Sequence, residues 1–234
     1  MSDVFLEAEW RDLLMVNFEV DPALLHPYVP AGTELDTFGG RTLLSVVGFR
    51  FLRTRVLGVP VPFHRHFDEV NLRFYVVRKR AGEWLKGVVF VKEIVPKRAI
   101  AWIARELYNE NYVAMPMRSA VAVPGRVEYT WRHGGRWEAV SARVGGDPWL
   151  PTADSEEAFV SEHYWGYVRQ RDGGTIEYQV THPTWRVYRC EDPALDGQVA
   201  ALYGDQFVDA LSSRPVSAFL AEGSEVSVHH GRRL

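Results

Sequence analysis

Apolar and polar side chains alternate with a period of two residues along much of the chain, which predicts a protein built mainly from β-strands. In the segment 70–77 every second residue from Val70 is apolar, and Arg73 lies on the opposite, polar face. The segment 87–94 is almost entirely apolar, which is typical of a strand buried on both faces. The same reasoning predicts strands over 43–51, 126–132, 136–142, 165–171, 175–181, 184–190 and 225–229.

Two short glycine-containing sequences lie between predicted strands and indicate β-hairpins. His133-Gly134-Gly135 joins the strands 126–132 and 136–142. Asp172-Gly173-Gly174 joins the strands 165–171 and 175–181 in the same way.

Helical patterns are fewer than strand patterns. Asp21 followed by Pro22 indicates a capped helix over 23–28, and the longest predicted helix runs over 97–110. Asp154 with Glu157 three residues later opens a helix over 156–164. The segment 195–211 has a helical pattern that Gly204 interrupts. We therefore predict one α+β domain over 1–234, an antiparallel β-barrel or cone with a few peripheral helices.

The composition narrows the classes of partner and compartment. The chain is 47% hydrophobic, enough for a sizeable core, and its net charge of -3 creates no field that recruits nucleic acid or anionic membranes. The single cysteine, Cys190, fits a reducing compartment. We find neither a signal peptide nor an apolar run of membrane-spanning length. The expectation is a soluble, cytoplasmic protein with no nucleic-acid or membrane partner, and a homo-oligomer stays open.

The segment 90–102 carries the strongest chemical signal. Glu93 lies near the end of a predicted strand, and Pro96 is followed by Lys97 and Arg98 in the first turn of the predicted helix. The helix macrodipole is positive at this end, so two adjacent cations are disfavoured there. Such surroundings favour the neutral form of a lysine, which is a nucleophile for ketones. Lys97, Arg98 and Glu93 are therefore candidate catalytic residues.

Several blocks of the chain resemble the uncharacterised YqjF-like family of the acetoacetate decarboxylase-like superfamily. They are Trp10-Arg-Asp-Leu-Leu14, Asp21-Pro-Ala-Leu-Leu-His-Pro-Tyr-Val-Pro30, Asp68-Glu-Val-Asn-Leu-Arg-Phe-Tyr-Val76, Tyr108-Asn-Glu-Asn-Tyr-Val113 and Glu162-His-Tyr-Trp-Gly-Tyr167. The resemblance implies a β-barrel or cone-shaped fold with a central cavity, without implying a particular reaction.

The segment Glu93-Ile-Val-Pro-Lys97-Arg98 is similar to the Glu…Pro-Lys-Lys motif of the decarboxylase itself. The resemblance implies that Lys97 stands in the place of the Schiff-base lysine and Arg98 in that of its pKa-lowering neighbour. Here the spacer before proline is shorter, and arginine replaces the second lysine. Arg11 lies one residue from the position of the family's substrate-carboxylate arginine.

A metal site is a rival interpretation. His64 and His66 would share one strand face, and with Glu69 they are similar to the first metal motif of cupins. The spacing to Glu69 is one residue short and the second half-motif is absent, so we expect no metal and no cofactor. Three hypotheses remain: a barrel that binds an anionic or carbonyl compound such as a keto acid, with Arg11, Glu69 and Arg73 as binding residues; a Schiff-base lyase using Lys97; and a cupin-like metalloprotein.

Overall fold

The structure is a computed structural model that describes residues 3–60, 65–96 and 111–234. The strands in these ranges form a single sheet in which most neighbours are antiparallel. Their bounds are β1 Val4–Glu19, β2 Glu34–Leu35, β3 Leu43–Val56, β4 Val59–Pro60, β5 Phe67–Arg80, β6 Glu83–Val95, β7 Tyr112–Ala114, β8 Met117–Val121, β9 Gly125–His133, β10 Arg136–Trp149, β11 Trp165–Arg169, β12 Thr175–Thr181, β13 Val187–Asp196, β14 Ser217–His229 and β15 Arg232–Arg233.

The helices of the described ranges are short. They are α1 Pro22–Leu25, α2 Glu156–Ser161, α3 Val199–Tyr203 and α4 Val208–Ser212, with 3-10 turns at His26–Tyr28 and Asp205–Phe207. Within the same ranges, no helix has the length and apolar character needed to cross a bilayer.

Seven of these strands close into a ring. The sheet runs in the order β12-β11-β6-β5-β3-β1-β14, and β14 pairs back onto β12 through Val180 opposite Val228. Because β12 and β14, the first and last strands of this order, pair with each other, the strands enclose an interior. Each strand of the ring can therefore contribute side chains to its lining. The predicted α+β fold, antiparallel strands closed on themselves with a few peripheral helices, is confirmed as this ring. Two pairings depart from it, since β6 is parallel to both β11 and β7.

A tightly packed core lies outside the ring. The outward-facing side chains of β1, β3 and β5 pack against β9, β10 and the helices α3 and α4. Tyr129 and Trp131 of β9 are fully buried in this core. Tyr129 lies so close to β3 that a Cβ on Gly48 would be 2.6 Å from its ring. The outer face of the ring therefore supplies most of the close packing that stabilises the fold.

The predicted strands are present, with shifted bounds, and six strands were not predicted: β1, β2, β4, β7, β8 and β15. The run 4–19 forms β1, although its apolar residues do not alternate cleanly. The segment 117–121 forms the edge strand β8. Its side chains are mostly exposed, so its sequence has no apolar face that would indicate a strand.

Two of the helix predictions need correction. The helix expected over 97–110 lies outside the described residues. The helix expected from Leu195 begins at Val199 instead, because a bulge at Asp192 lets β13 continue to Asp196 in register with β10. Gly204 ends α3 as predicted. The helix expected over 156–164 stops at Ser161, and Ser155 caps it instead of Asp154.

Candidate functional site

The interior of the ring holds a cavity of about 390 Å³. All of the ring strands contribute to its lining, together with α2 and the segment between β12 and β13. A concave site of this size is typical of small-molecule sites in proteins.

One polar row of side chains on β5 faces this cavity. Glu69, Asn71 and Arg73 alternate with residues that face the outer core, so all three project inward. On the neighbouring strand β3 the partners of Glu69 and Asn71 are the apolar residues Phe49 and Val47. The cavity therefore has one polar strip in an otherwise mainly apolar wall.

Arg73 has only uncharged partners among the described residues. Its Nη2 donates to the backbone carbonyl of Val160 at 3.1 Å and lies 3.8 Å from the sulfur of Met15. Its Nε is buried without a hydrogen-bond partner in the described ranges. The guanidinium lies 5.8 Å from the centre of the Tyr75 ring. A permanent positive charge thus lies at the cavity wall with no described carboxylate beside it.

Glu93 reaches the cavity because β6 contains a bulge. Leu72 pairs with Lys92, whereas Arg73 pairs with Phe90, so Val91 is an extra residue on β6. On a regular strand, residues that are three apart face opposite sides of the sheet. The extra residue shifts the alternation by one, so both Phe90 and Glu93 line the cavity. Glu93 pairs with Asn71 across the strands and is 1% exposed.

Glu69 lies in a hydrogen-bonded group at the same wall. Asn71 donates from Nδ2 to Oε1 of Glu69 at 3.0 Å, and the Tyr112 hydroxyl donates to Oε2 at 3.2 Å. Glu69 is 2% exposed. Two buried carboxylates, Glu69 and Glu93, therefore border Asn71 in the cavity wall.

His182 and Trp185 form a second part of the lining. Their rings stack at 3.8 Å and 13°, and Nδ1 of His182 lies 2.9 Å from the carbonyl oxygen of Pro183. This contact requires a proton on Nδ1, which leaves Nε2 as an acceptor in the neutral ring. Burial lowers the pKa of His182; the Pro183 hydrogen bond opposes this shift and the charge of Arg73 adds to it.

His163 lines the cavity from the end of α2. Its Nδ1 lies 2.6 Å from the carbonyl oxygen of Phe159, and its Nε2 lies 3.1 Å from the carboxylate of Asp36. Burial lowers the pKa of His163, whereas the Asp36 contacts favour the charged ring. Both nitrogens are occupied by these contacts, so His163 serves to anchor the wall.

The structure brings Glu69, Arg73 and Glu93 together at the cavity and places Arg11 elsewhere. The Arg11 guanidinium pairs with Glu9 at 3.1 Å and donates to the carbonyl of Gly223. Its side chain is 38% exposed and does not line the cavity, although its neighbour Trp10 does.

Three other predicted residues, Lys97, Arg98 and His64, lie outside the described residues. His66 is exposed, and its Nδ1 accepts a hydrogen bond from the backbone amide of Arg53 at 3.4 Å. The roles predicted for these residues stay predictions.

Sequence reasoning did not select several lining residues. Asn71 was missed although it shares the polar face of β5 with Glu69 and Arg73, and this shared face is the signal that identifies it. Tyr112 carries no such signal, because only the parallel pairing of β7 with β6 brings it to the cavity. His182 and Trp185 come from a segment without regular structure, so periodicity says nothing about their direction.

The fold is shared with solved enzymes. The acetoacetate decarboxylase of Legionella pneumophila subsp. pneumophila str. Philadelphia 1 is similar with a TM-score of 0.69 and 14% identity, over 100% of this chain and 90% of that one. The enduracididine biosynthesis enzyme MppR complexed with pyruvate gives a TM-score of 0.69 and 12% identity, over 100% and 91%. An acetoacetate decarboxylase-like enzyme from Sphingomonas wittichii RW1 gives 0.67 and 16%, over 100% and 94%.

Sequence comparison leads to the family. The uncharacterized protein YqjF of Bacillus subtilis (strain 168) is 27% identical over 186 residues, which cover 78% of this chain and 74% of that protein. Residues 7–225 match DUF2071, described as an uncharacterized conserved protein. With its acetoacetate decarboxylase-like ring, the chain belongs to the DUF2071 family.

Proposed function

We propose that this protein binds a small organic acid, such as a keto acid, inside the ring of strands. The observation that carries the proposal is Arg73, a cation in the wall of a mainly apolar cavity whose described partners are a backbone carbonyl and a thioether. An arginine keeps its charge in any protein environment, and charges inside proteins are normally paired. A ligand carboxylate would supply the missing anion and accept two parallel hydrogen bonds from the guanidinium.

The carboxylates of Glu69 and Glu93 support one orientation of the ligand. Both are buried in the wall around Asn71, two residues along β5 from Arg73. A carboxyl side chain offers a ligand a hydrogen bond, whereas the guanidinium of Arg73 offers an anion a charge of opposite sign. The ligand's acid group is therefore directed to Arg73, and its uncharged part lies along the rest of the cavity.

The solved relatives support the ligand class. MppR, which shares this fold, has been determined in complex with pyruvate, a keto acid. At 12% identity this similarity concerns the fold alone, so the assignment to this chain depends on Arg73.

A second candidate function is Schiff-base catalysis by Lys97. The observation that favours it is the position of Glu93, which lines the cavity and is four residues before Lys97 in the segment that resembles the decarboxylase motif. The amine would add to a ligand ketone and release water, forming an iminium. Loss of carbon dioxide from a β-keto acid would send the bonding electron pair into the iminium and give an enamine. A proton taken up at carbon from water would convert the enamine to the product iminium, and hydrolysis would release the ketone and restore the amine.

Thermal melting with and without a panel of keto acids tests the binding function, using Arg73→Met and Arg11→Met as matched variants. We expect the acids to raise the melting temperature of the wild type and of Arg11→Met. Arg73→Met should weaken their binding about ten- to hundredfold, because a hydrogen-bonded charge pair is lost. Equal binding by Arg73→Met, or loss of binding in Arg11→Met alone, would refute the role of Arg73.

Reduction with borohydride separates the two candidates. An iminium would be trapped as a stable adduct, which peptide mass spectrometry assigns to a lysine. Lys92 provides an internal comparison: burial lowers its pKa, but its Nζ donates to the carbonyl of Leu202 on the outer side of the ring. An adduct at Lys97 that is absent in Lys97→Arg supports catalysis. Protection against melting without any adduct supports binding alone.

A further inference from the structure

His182 lines the cavity and carries a ring nitrogen that accepts no hydrogen bond from the described residues. Its Nδ1 lies 2.9 Å from the carbonyl oxygen of Pro183, so Nδ1 carries the proton and donates it there. In the neutral ring, Nε2 then holds a lone pair. A half-buried acceptor beside a mainly apolar cavity favours a ligand that brings a hydrogen-bond donor.

The ring of His182 is held in one orientation. It stacks on Trp185, with ring centres 3.8 Å apart and planes at 13°, and the ring of Tyr164 lies 4.8 Å away. Trp185 is itself fixed, because its indole nitrogen donates to the Ser224 hydroxyl at 2.9 Å. Nδ1 points at the backbone of its own segment, so Nε2, on the other side of the imidazole, points away from that backbone. Since His182 lines the cavity, this nitrogen is directed into it.

Arg73 and His182 belong to the same part of the cavity. Nη2 of Arg73 donates to the carbonyl of Val160 at 3.1 Å, and Tyr164, four residues after Val160, contacts His182. The charge of Arg73 also acts on His182: burial is the main cause of the lowered pKa of His182, and among the charges Arg73 acts more strongly than Glu162. Charges act over about 10 Å at ordinary ionic strength, so a short ligand can reach both groups.

The donor that fits Nε2 of His182 is an uncharged hydroxyl. An ammonium group could also donate to this nitrogen, but the positive charge of Arg73 acts there and outweighs that of Glu162. A second cation would be repelled by Arg73, and its burial costs more than that of a hydroxyl. A ketone has no hydrogen to donate, so a keto oxygen at this place would leave Nε2 unpaired.

We infer that His182 selects short hydroxy acids, which bind with the carboxylate at Arg73 and donate the hydroxyl hydrogen to Nε2 of His182. The inference rests on the proposed acid-binding function and specifies the substrate class for it. Arg73 binds the acid group that all such compounds share, and His182 distinguishes a hydroxyl from a hydrogen atom or a keto oxygen. One hydrogen bond of this kind changes affinity by about three- to tenfold.

Isothermal titration calorimetry with acids of one carbon skeleton tests this inference. The probes are butyrate, its 2-, 3- and 4-hydroxy derivatives, 2-oxobutyrate and 2-aminobutyrate. We expect at least one hydroxybutyrate to bind about three- to tenfold more tightly than butyrate, and the oxo and amino acids to show no such gain. The position of the preferred hydroxyl then measures the distance between the two groups of the site.

Two histidine variants provide a matched comparison. His182→Phe keeps a ring that can stack on Trp185 but removes both nitrogens, so the gain from the hydroxyl should disappear. His229 also lines the cavity, but its Nε2 lies 3.5 Å from the Thr181 hydroxyl, so His229→Phe should keep the gain. Nitrogen-15 NMR of the wild type needs no variant: the Nε2 resonance of His182 should shift further with the preferred hydroxybutyrate than with butyrate.

The outcomes separate the inference from the function on which it rests. Equal affinity for butyrate and all three hydroxybutyrates, or equal shifts of the Nε2 resonance, would overturn the role of His182 and leave acid binding intact. A gain that survives in His182→Phe, or that is lost only in His229→Phe, would also overturn it, as would tightest binding of 2-aminobutyrate. No binding by any of the six acids, or binding that Arg73→Met does not weaken, would overturn the acid site and with it the inference.

Discussion

At the scale of single residues, the cavity combines a permanent charge with a histidine that is held neutral. Arg73 contributes to the lowered pKa of His182, although burial has the larger effect. The Nδ1 proton of His182 is engaged by Pro183 at 2.9 Å, so the neutral ring presents an acceptor nitrogen. A ligand carboxylate bound to Arg73 would offset the positive charge that helps to lower the pKa of His182, and would therefore raise that pKa.

The titration of His182 should make stability depend on pH. The pKa of His182 is lowered in the folded protein, so the unfolded chain takes up the proton first as the pH falls through about 6.5. Stability should be complete above that pH and decrease below it. Chemical denaturation between pH 5 and 8, roughly the range over which histidines titrate, measures this slope.

His182→Gln should make that slope shallower, because the titrating group is removed. His26→Gln, at an exposed position, is the control. An unchanged slope in His182→Gln would show that other groups account for the pH dependence.

At the scale of elements, a buried chain of polar groups ties α2 to the ring. Asn17 of β1 accepts from Ser45 of β3 at 2.6 Å and donates to Ser217 of β14 at 2.8 Å. Ser217 in turn donates to Glu156 of α2, and Ser45 also contacts the Tyr75 hydroxyl at 2.7 Å. These bonds fix the end of the ring from which Val160 meets Arg73.

Asn17→Ala should lower the free energy of unfolding by about 2–4 kcal/mol, because it removes the hydrogen bonds of Asn17 to the buried Ser45 and the half-buried Ser217. A double-mutant cycle with Ser45→Ala, followed by denaturant unfolding, measures the coupling. Strict additivity of the two substitutions would contradict a cooperative chain.

The close approach of β1 and β14 requires a glycine at position 223. Gly223 has a φ of +77°, and a Cβ there would lie 2.0 Å from the carbonyl oxygen of Trp10. Gly223→Ala should therefore destabilise the protein by more than about 2 kcal/mol. Gly145→Ala in β10 is the control, since a Cβ there meets no atom within 4 Å. Equal melting temperatures for the two variants would show that the backbone around position 223 can move enough to accommodate a Cβ atom, and would contradict this prediction.

The sequence predicts some of the site because strand alternation is a local property. The apolar residues that begin at Val70 assign Arg73 to the opposite face of β5, and closure of the ring turns that face inward. Glu93 is different: its direction depends on the bulge at Val91, which arises from pairing with β5 and leaves no mark in the local pattern. His182 reaches the cavity through an irregular segment, so its position follows from tertiary packing.

At the scale of the whole molecule, the outer and inner faces of the ring have different structural roles. The outer face packs against β9, β10, α3 and α4 and forms a dense core. The inner face remains only partly filled, which leaves the 390 Å³ cavity. Because the outer core supports the fold, the interior can keep apolar surface for a ligand and a cation, Arg73, that has no carboxylate partner among the described residues.

A crystal structure of the protein with pyruvate would locate the acid group within this arrangement. We expect the ligand carboxylate about 3 Å from the guanidinium of Arg73. A carboxylate bound at Arg11 on the outside of the ring, or a ligand whose acid group points away from Arg73, would contradict this account.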